Sequence, residues 1–188
     1  MKLLSVKWKI CLLIVGVIVS CCCADAFAED SSSTYRLETA FIYNFMKFTN
    51  WHDTRLSDKN ESLHIVVVDG NPFGDALQPL TGKKVSGHSI QVTFDPEFLR
   101  SEHLTSAQVV FVSDRNLADV DRAIAKLQHR HLLTVGDTPG FAAHGGCIEL
   151  RKNGGRMSFI INRKAVENQG ITLSYQVYNL AAEVLGKD

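Results

Sequence analysis

Apolar residues near the start of the folded region repeat with the period of an α-helix. Between Tyr35 and Phe48, one stripe consists of Leu37, Ala40, Phe41, Phe45 and Phe48, and a neighbouring stripe consists of Tyr35, Ile42 and Met46. A helix that is apolar on two sides must be covered on two sides. We therefore expect this helix to pack against both a sheet and a second helix.

Four later segments have the apolar patterns of β-strands. Leu63–Val68, Gln108–Val112 and Leu132–Val135 are rich in apolar and β-branched residues, which is typical of strands buried on both faces. Ser89–Phe94 alternates instead, which predicts a strand with one exposed face and allows an edge position. Strands joined by helices through short connections predict a parallel sheet with right-handed crossovers.

Two helices are expected between these strands. Asn116 is the predicted N-cap of a helix that buries Leu117, Val120, Ile124 and Leu127. The stretch Asp69–Gly74 is similar to a phosphate-cradling loop, but it lacks the lysine and the glycine spacing of such loops. We favour Asn71 as an N-cap and Pro72 as the first residue of a short helix that buries Phe73, Ala76, Leu77 and Leu80.

A glycine-punctuated stretch near the C-terminal end predicts a β-hairpin. Its strands are Cys147–Arg151 and Met157–Ile161, and residues 152–155 supply the turn. Gly145 and Gly146 lie just upstream, where a side chain would block a bulge or a close backbone approach. The hairpin would extend the sheet with antiparallel strands and make it mixed.

The C-terminal region has the pattern of a helix that starts at Arg163, pauses at Gly170 and resumes over Ile171–Leu185. The resumed helix is apolar on two faces. The fold class expected is a single α/β domain with a mixed, mostly parallel sheet, a C-terminal β-hairpin and packed N- and C-terminal helices. Apolar surface left over is available for a partner, and the candidate partner-binding residues are Phe141, Ile42, Met46, Tyr175 and Tyr178.

The first 28 residues have the features of a signal peptide. Lys2, Lys7 and Lys9 precede the apolar run Ile10–Val19, which is too short for a stable membrane anchor. Cleavage after the motif Ala26-Phe27-Ala28 would leave Glu29 first, and residues 29–188 as the domain. A lipobox-like alternative would leave a lipidated Cys21. Either route predicts export from the cytoplasm.

Composition narrows the class of function. The 188 residues are 45% apolar and 21% charged, and acidic and basic side chains number 20 each. This balance argues against nucleic acid as a partner. Four of the five cysteines, at positions 11, 21, 22 and 23, lie in the leader, so cleavage after Ala28 leaves Cys147 without an intramolecular disulfide partner. Cys147 is either a small buried residue or a reactive thiol, and we favour burial.

Candidate chemistry is confined to one expected rim of the sheet. Asp69, Asp114 and Asp137 each follow a predicted strand, and His144 lies in the next loop. Such residues could bind a small ligand or a metal, or serve a hydrolase as acid and base. They are also ordinary turn and cap residues, and the sequence contains no G-x-S-x-G nucleophile motif. We therefore expect a non-catalytic protein with no cofactor and no metal, and keep a ligand-binding sensor domain and a hydrolase as alternatives.

Several short fragments, in their order and spacing, resemble the YfiR family. They are Ala40–Phe45 with Lys47, Phe48 and Trp51; Ile65–Val68 with Asn71–Gly74; Leu133–Val135 with Asp137; Gly140 and Phe141 with Gly145 and Gly146; Phe159 with Ile161 and Asn162; and Leu173 and Ser174 with Leu180 and Ala181. The resemblance covers nearly all of residues 29–188.

The resemblance implies an exported α/β protein similar to periplasmic repressors. Those repressors bind the sensor region of an inner-membrane diguanylate cyclase, and so lower cyclic di-GMP and biofilm formation. Some relatives carry a cysteine pair around the Gly-Gly segment whose disulfide supports folding and a redox response. Here Ala142 and Glu149 flank that segment, so disulfide-based sensing is not expected. The sequence is also compatible with a homodimer, because one chain does not determine the oligomeric state.

Overall fold

The computed structural model describes residues 33–52, 56, 61–68, 70–97, 99, 107–113, 116–153 and 156–186. The predicted signal peptide, with Cys21, lies outside the described residues. Asp69 and Asp114, two of the residues of the expected ligand rim, lie outside them as well.

The described residues form four α-helices and ten strands. The helices are α1 (33–47), α2 (Leu117–Leu127), α3 (Arg163–Asn168) and α4 (Tyr175–Leu180), with a 3₁₀ turn at Gln78–Leu80. The strands are β1 (Thr49–Asn50), β2 (Leu63–Val68), β3 (Lys84–Val85), β4 (His88–Phe94), β5 (Val109–Val112), β6 (Leu133–Gly136), β7 (Ile148–Asn153), β8 (Arg156–Asn162), β9 (Thr172–Leu173) and β10 (Glu183–Leu185).

Eight strands form one sheet in the order β10-β8-β7-β6-β5-β2-β4-β3. Strands β2, β4, β5, β6 and β7 run parallel, whereas β8 is antiparallel to β7 and β3 is antiparallel to β4. The last strand, β10, runs parallel to β8 at the sheet edge, and β1 pairs with β9 in a separate two-stranded sheet. The predicted α/β fold with a mixed, mostly parallel sheet is confirmed.

Alternate residues of the central strands point into two separate cores. Ile65 and Val67 of β2 belong to the core beneath α1, α3 and α4, whereas Val66 and Val68 belong to the core beneath α2. Because each strand is covered on both faces, its sequence is a continuous apolar run, as predicted. The sheet is thus the middle layer of three.

The hairpin is confirmed, with longer strands than expected. Lys152 and Asn153 pair with Met157 and Arg156 and so belong to the strand β7 rather than to the turn. Residues 154–155 lie outside the described residues. In the segment before it, a Cβ built on Gly146 would lie 2.1 Å from the Phe141 ring, and a Cβ on Gly136 would lie 2.7 Å from it. A side chain at Gly146 would therefore be blocked, as predicted, but the group that blocks it is an aromatic ring rather than a backbone segment.

The long C-terminal helix predicted over Ile171–Leu185 is wrong. Only α4 is helical there, and it is flanked by β9 and β10. The Ser174 amide donates to the Phe48 carbonyl at 2.9 Å, and the Ala182 amide donates to the Phe159 carbonyl at 2.9 Å. These bonds to distant segments replace the local i→i−4 bonds that a helix would make.

The short helix predicted after Asn71 is also wrong in type. Residues 72–77 form turns that lead into the 3₁₀ turn, because Gly74 has a φ of +53° and Pro79 has no N–H to donate. Phe73, Leu77 and Leu80 are nevertheless buried as predicted.

Candidate functional site

An apolar groove lies between the two helices nearest the ends of the described chain. It has a volume of about 530 Å³ and is lined by Phe41, Asn44, Phe45, Phe48, Phe159, Gln176, Val177, Asn179 and Leu180. Helix α1 supplies one wall, α4 supplies the other, and Phe159 of β8 contributes an aromatic ring. The groove thus joins three elements that are far apart in sequence.

Aromatic packing fixes the wall formed by α1. Phe41, Phe45 and Phe48 recur at the i, i+4 and i+7 spacing that places them on one helix face. The Phe159 ring centroid lies 5.7 Å from that of Phe41 and 5.0 Å from that of Phe45, both in edge-to-face geometry. Such pairs favour one defined arrangement of the rings, so they hold α1 against β8.

Two large side chains on α4 are open to solvent. Tyr175 is 77% exposed and Leu180 is 76% exposed. The helix is short because the chain becomes extended at Ala181, where it turns toward β10. Leu180 is therefore held at the groove mouth by the end of its own helix.

The rim of the groove is polar but uncharged. Asn44, Gln176 and Asn179 are exposed amides, which can donate and accept hydrogen bonds without titrating. Charges lie to the side, where Lys47 stands 5.8 Å from the Phe48 ring centroid and Arg163 stands 5.1 Å from the Tyr178 ring centroid. The lining has the composition of a site for an uncharged apolar segment rather than for acid–base chemistry.

Three of the five predicted partner-binding residues are placed inside the protein. Phe141, Ile42 and Met46 are fully buried, so they contribute no contact surface and their assignment is corrected. Phe141 fills the space between Gly136 and Gly146, and Ile42 and Met46 face the core beneath α1. Each is apolar because of the core, not because of a partner.

Tyr178 and Tyr175 remain at the surface of α4. Tyr178 is half-buried against Arg163, and burial raises the pKa of its phenol although the Arg163 charge opposes that change.

The pattern-based search missed the groove residues Leu180, Phe48 and Phe159. Phe48 belongs to the first apolar stripe, which was the signal that could have identified it.

The expected ligand rim is not assembled among the described residues. His144 contacts Asp121 of α2 at 2.6 Å, while Asp137 lines a separate cleft of about 640 Å³ with Lys152, Ser158 and Glu183. Within the described ranges, no group of three or more His, Cys, Asp or Glu side chains could hold a metal ion.

The loop before the hairpin is tied by a carboxylate. Glu149 is buried, accepts from the Ala142 amide at 3.1 Å and accepts from Arg151 Nε at 2.8 Å. Ala142 and Glu149 are the two positions that flank the Gly-Gly segment, and a hydrogen bond links them in this chain. Cys147 is a free, buried thiol whose pKa is raised by burial, which confirms the favoured interpretation of that residue.

Glu38 is a buried acid that the pattern did not single out. It lies on α1 one turn before Phe41 and is 3% exposed. Burial raises the pKa of its carboxyl to about 8, assisted by the negative charge of Asp137 and opposed by Lys152. The sequence contained a signal for it, because Glu38 lies four residues before Ile42, in line with the second apolar stripe of the helix.

Two solved structures have limited similarity to this chain. A conserved domain protein from Vibrio cholerae has 14% identity and a TM-score of 0.49, with 64% of this chain and 54% of that one covered. An ABC domain in complex with L-Trp from Streptococcus pneumoniae has 12% identity and a TM-score of 0.49, with 65% and 55% covered. The chain therefore spans about half the length of each. Similarity at this level carries no information on function.

A search of the curated proteins found no match. Among the described residues, no helix is both long and apolar enough to cross a membrane. The model of the YfiR/HmsC-like family matches residues 35–182, which is well over half of the sequence. The match includes the groove, the hairpin and both cores, and so the chain belongs to the YfiR/HmsC-like family.

Proposed function

We propose that this protein is a non-catalytic regulator that binds the sensor region of an inner-membrane diguanylate cyclase and lowers cyclic di-GMP signalling. Membership of the YfiR/HmsC-like family supports a periplasmic regulatory role in general, and that family is regulatory rather than catalytic. The partner and the effect on cyclic di-GMP are our proposal, based on the sequence resemblance and on the groove.

The observation that carries the proposal is the exposed apolar surface between α1 and α4. Leu180 is 76% exposed and Phe48 is 37% exposed in the groove lining. Tyr175, which is 77% exposed, lies outside the lining on the same helix as Leu180. Large apolar side chains clustered at the surface and rimmed by polar groups mark protein interaction sites. Aromatic residues are also enriched among those that dominate binding energy.

Leu180→Glu tests the proposal. Position 180 is exposed, so a carboxylate there is tolerated by the fold but adds a charge that a bound apolar segment would bury. We expect the variant to lose co-purification with the membrane cyclase, and cyclic di-GMP to rise to the level of a deletion strain. Leu37→Glu is the matched control, because Leu37 is an exposed leucine on α1 outside the groove lining.

Retained repression by Leu180→Glu would exclude the groove as the binding surface. Wild-type protein that recovers no inner-membrane partner, together with unchanged cyclic di-GMP on deletion, would exclude the regulatory role itself.

A small-molecule sensor is the second candidate function, now favoured at the groove rather than at the expected rim. The groove volume of about 530 Å³ lies in the range of small-ligand pockets. A ligand at 100 times its Kd should stabilise the fold by about 2.7 kcal/mol, so a thermal-shift screen with Leu180→Glu as the control would detect it. No observation on the described residues favours a hydrolase.

A further inference from the structure

Glu38 places a carboxyl group inside the contact between α1 and the body of the protein. Its side chain is 3% exposed, and its Oε2 atom has no hydrogen-bond partner among the described residues. Burial of a charged carboxylate is strongly disfavoured when one of its oxygens has no donor. The packed position of α1 therefore favours the neutral acid.

Charged groups from two other elements act on this carboxyl. Asp137 follows β6 and its negative charge favours the protonated form, whereas Lys152 of β7 favours the ionised form. Arg151 and Glu183 line the same cleft as Asp137, and Arg151 is paired with Glu149. Burial outweighs the Lys152 charge, and the pKa of Glu38 rises from 4.5 to about 8.

Glu38 lies on the helix that forms one wall of the groove. Phe41 is three residues further on and Phe45 is seven, so both follow Glu38 along the same side of α1. Their rings contact Phe159 of β8. A displacement of α1 that exposes Glu38 would therefore also separate the groove wall from Phe159.

We propose that Glu38 is a proton-controlled latch, in which the neutral acid holds α1 against the sheet and rising pH loosens α1 together with the groove wall that it forms. The direction follows from linkage. When α1 opens, Glu38 enters water and loses its proton with the ordinary value of 4.5, whereas in the closed protein it keeps that proton up to about pH 8. Opening is therefore increasingly favoured from about pH 4.5 to 8 and constant above that.

Hydrogen exchange on the isolated mature protein tests the latch. The protection of α1 amides, corrected for the intrinsic exchange rate and divided by that of α2 amides, should fall about tenfold per pH unit from pH 5 to 8 and then level off. Glu38→Gln should abolish this fall. A wild-type ratio that is independent of pH, or an equal fall in Glu38→Gln, would overturn the proposal.

Two further variants keep the test decisive if Glu38→Gln does not fold. Asp137→Asn removes a charge that favours protonated Glu38, so the protection ratio should stop falling at a lower pH than in the wild type. Lys152→Met removes the charge that favours ionised Glu38, so the ratio should stop falling at a higher pH. Lys84→Met on the edge strand β3 is the matched control, because Lys84 is exposed, and it should leave the profile unchanged. Either shift in the opposite direction, or no shift in both variants, contradicts the latch.

The consequence for partner binding rests on the proposed function, and its test separates the two ideas. Capture of the membrane partner should be weaker at pH 8 than at pH 6 for the wild type and equal at both for Glu38→Gln. Because the exchange experiment contains no partner, it can fail while Leu180→Glu still loses repression, which would leave the proposed function intact. If the exchange experiment succeeds and Leu180→Glu still represses, the latch is retained and the proposed partner binding at the groove is excluded.

Discussion

At the scale of single residues, the clearest case is the ring of Phe141 between two glycines. The Gly-Gly pair in the sequence indicated a close approach, and the structure shows that the approaching group is this ring. Its identity could not be read from the sequence, because Gly136, Phe141 and Gly146 meet only once β6 and the following loop are in place. An aromatic residue in a glycine-rich loop was therefore mistaken for a surface contact.

Gly146→Ala should destabilise the protein markedly. The new Cβ would lie 2.1 Å from the Phe141 ring, and overpacking of this kind costs about 1–3 kcal/mol or somewhat more. Urea unfolding gives the free energy directly. The double variant Gly146→Ala with Phe141→Leu should recover part of the loss through coupling. A single variant as stable as the wild type would show that the ring is not confined by Gly146.

Glu38→Gln should change how stability depends on pH. The carboxyl has a pKa of about 8 in the folded state against an ordinary 4.5, so its stabilising effect is complete below pH 4.5 and is lost as pH rises to 8. The slope is about 1.4 kcal/mol per pH unit within that window. The difference in unfolding free energy between wild type and variant, measured at several pH values, should show this slope. A constant difference would contradict it.

At the scale of elements, the sequence pattern correctly predicted the helices and strands that are determined by contacts within one segment. The strands β2, β5 and β6, the helix α2 and the hairpin were predictable from apolar runs and turn residues. The helix predicted for the C-terminal region was wrong because β9 and β10 form by pairing with β1 and β8. Their apolar spacing fits a helix equally well, and no local feature reveals a strand partner that is distant in sequence.

The candidate site was predictable only in part, for a related reason. The sequence indicated that α1 is apolar on two sides, but not which side faces solvent. Ile42 and Met46 lie toward the sheet, whereas Phe48 lies toward the groove. The choice between the two stripes is made by the position of β8, which is set by the whole sheet.

The N-cap of α3 should matter more than an ordinary cap. Asn162 Oδ1 accepts from the Ala165 amide at 3.0 Å, and Asn162 Nδ2 also donates to the Ala142 carbonyl at 2.8 Å. Loss of one cap costs about 1 kcal/mol, and we expect Asn162→Ala to cost about twice as much, because it also removes the hydrogen bond to the Ala142 carbonyl. A loss in thermal unfolding no larger than that of one cap would contradict the second role.

At the scale of the whole molecule, Cys147 can report global unfolding. The thiol is fully buried and its raised pKa keeps it protonated, and both properties suppress its reactivity. We expect the protein of residues 29–188 to resist iodoacetamide in native buffer and to take up one adduct per chain in denaturant, with Cys147→Ala as the unlabelled control. Rapid labelling of the native protein would contradict this burial.

The intact mass of the protein recovered from cells tests the predicted cleavage of the N-terminal segment. A chain that begins at Glu29 has one cysteine, whereas a chain that begins at a lipidated Cys21 carries the extra mass of the lipid and further thiols. We expect the first mass.

The small sheet between β1 and β9 has a consequence for when the groove comes into existence. It brings together residues that are very distant along the chain, as in the 3.0 Å contact between His52 and Thr172, which are 120 positions apart. Contacts between residues so far apart in sequence form slowly, because a long loop must close before they stabilise the structure. The two walls of the groove can therefore meet only after the C-terminal segment has been synthesised, and we expect a chain truncated before Thr172 to lack the groove.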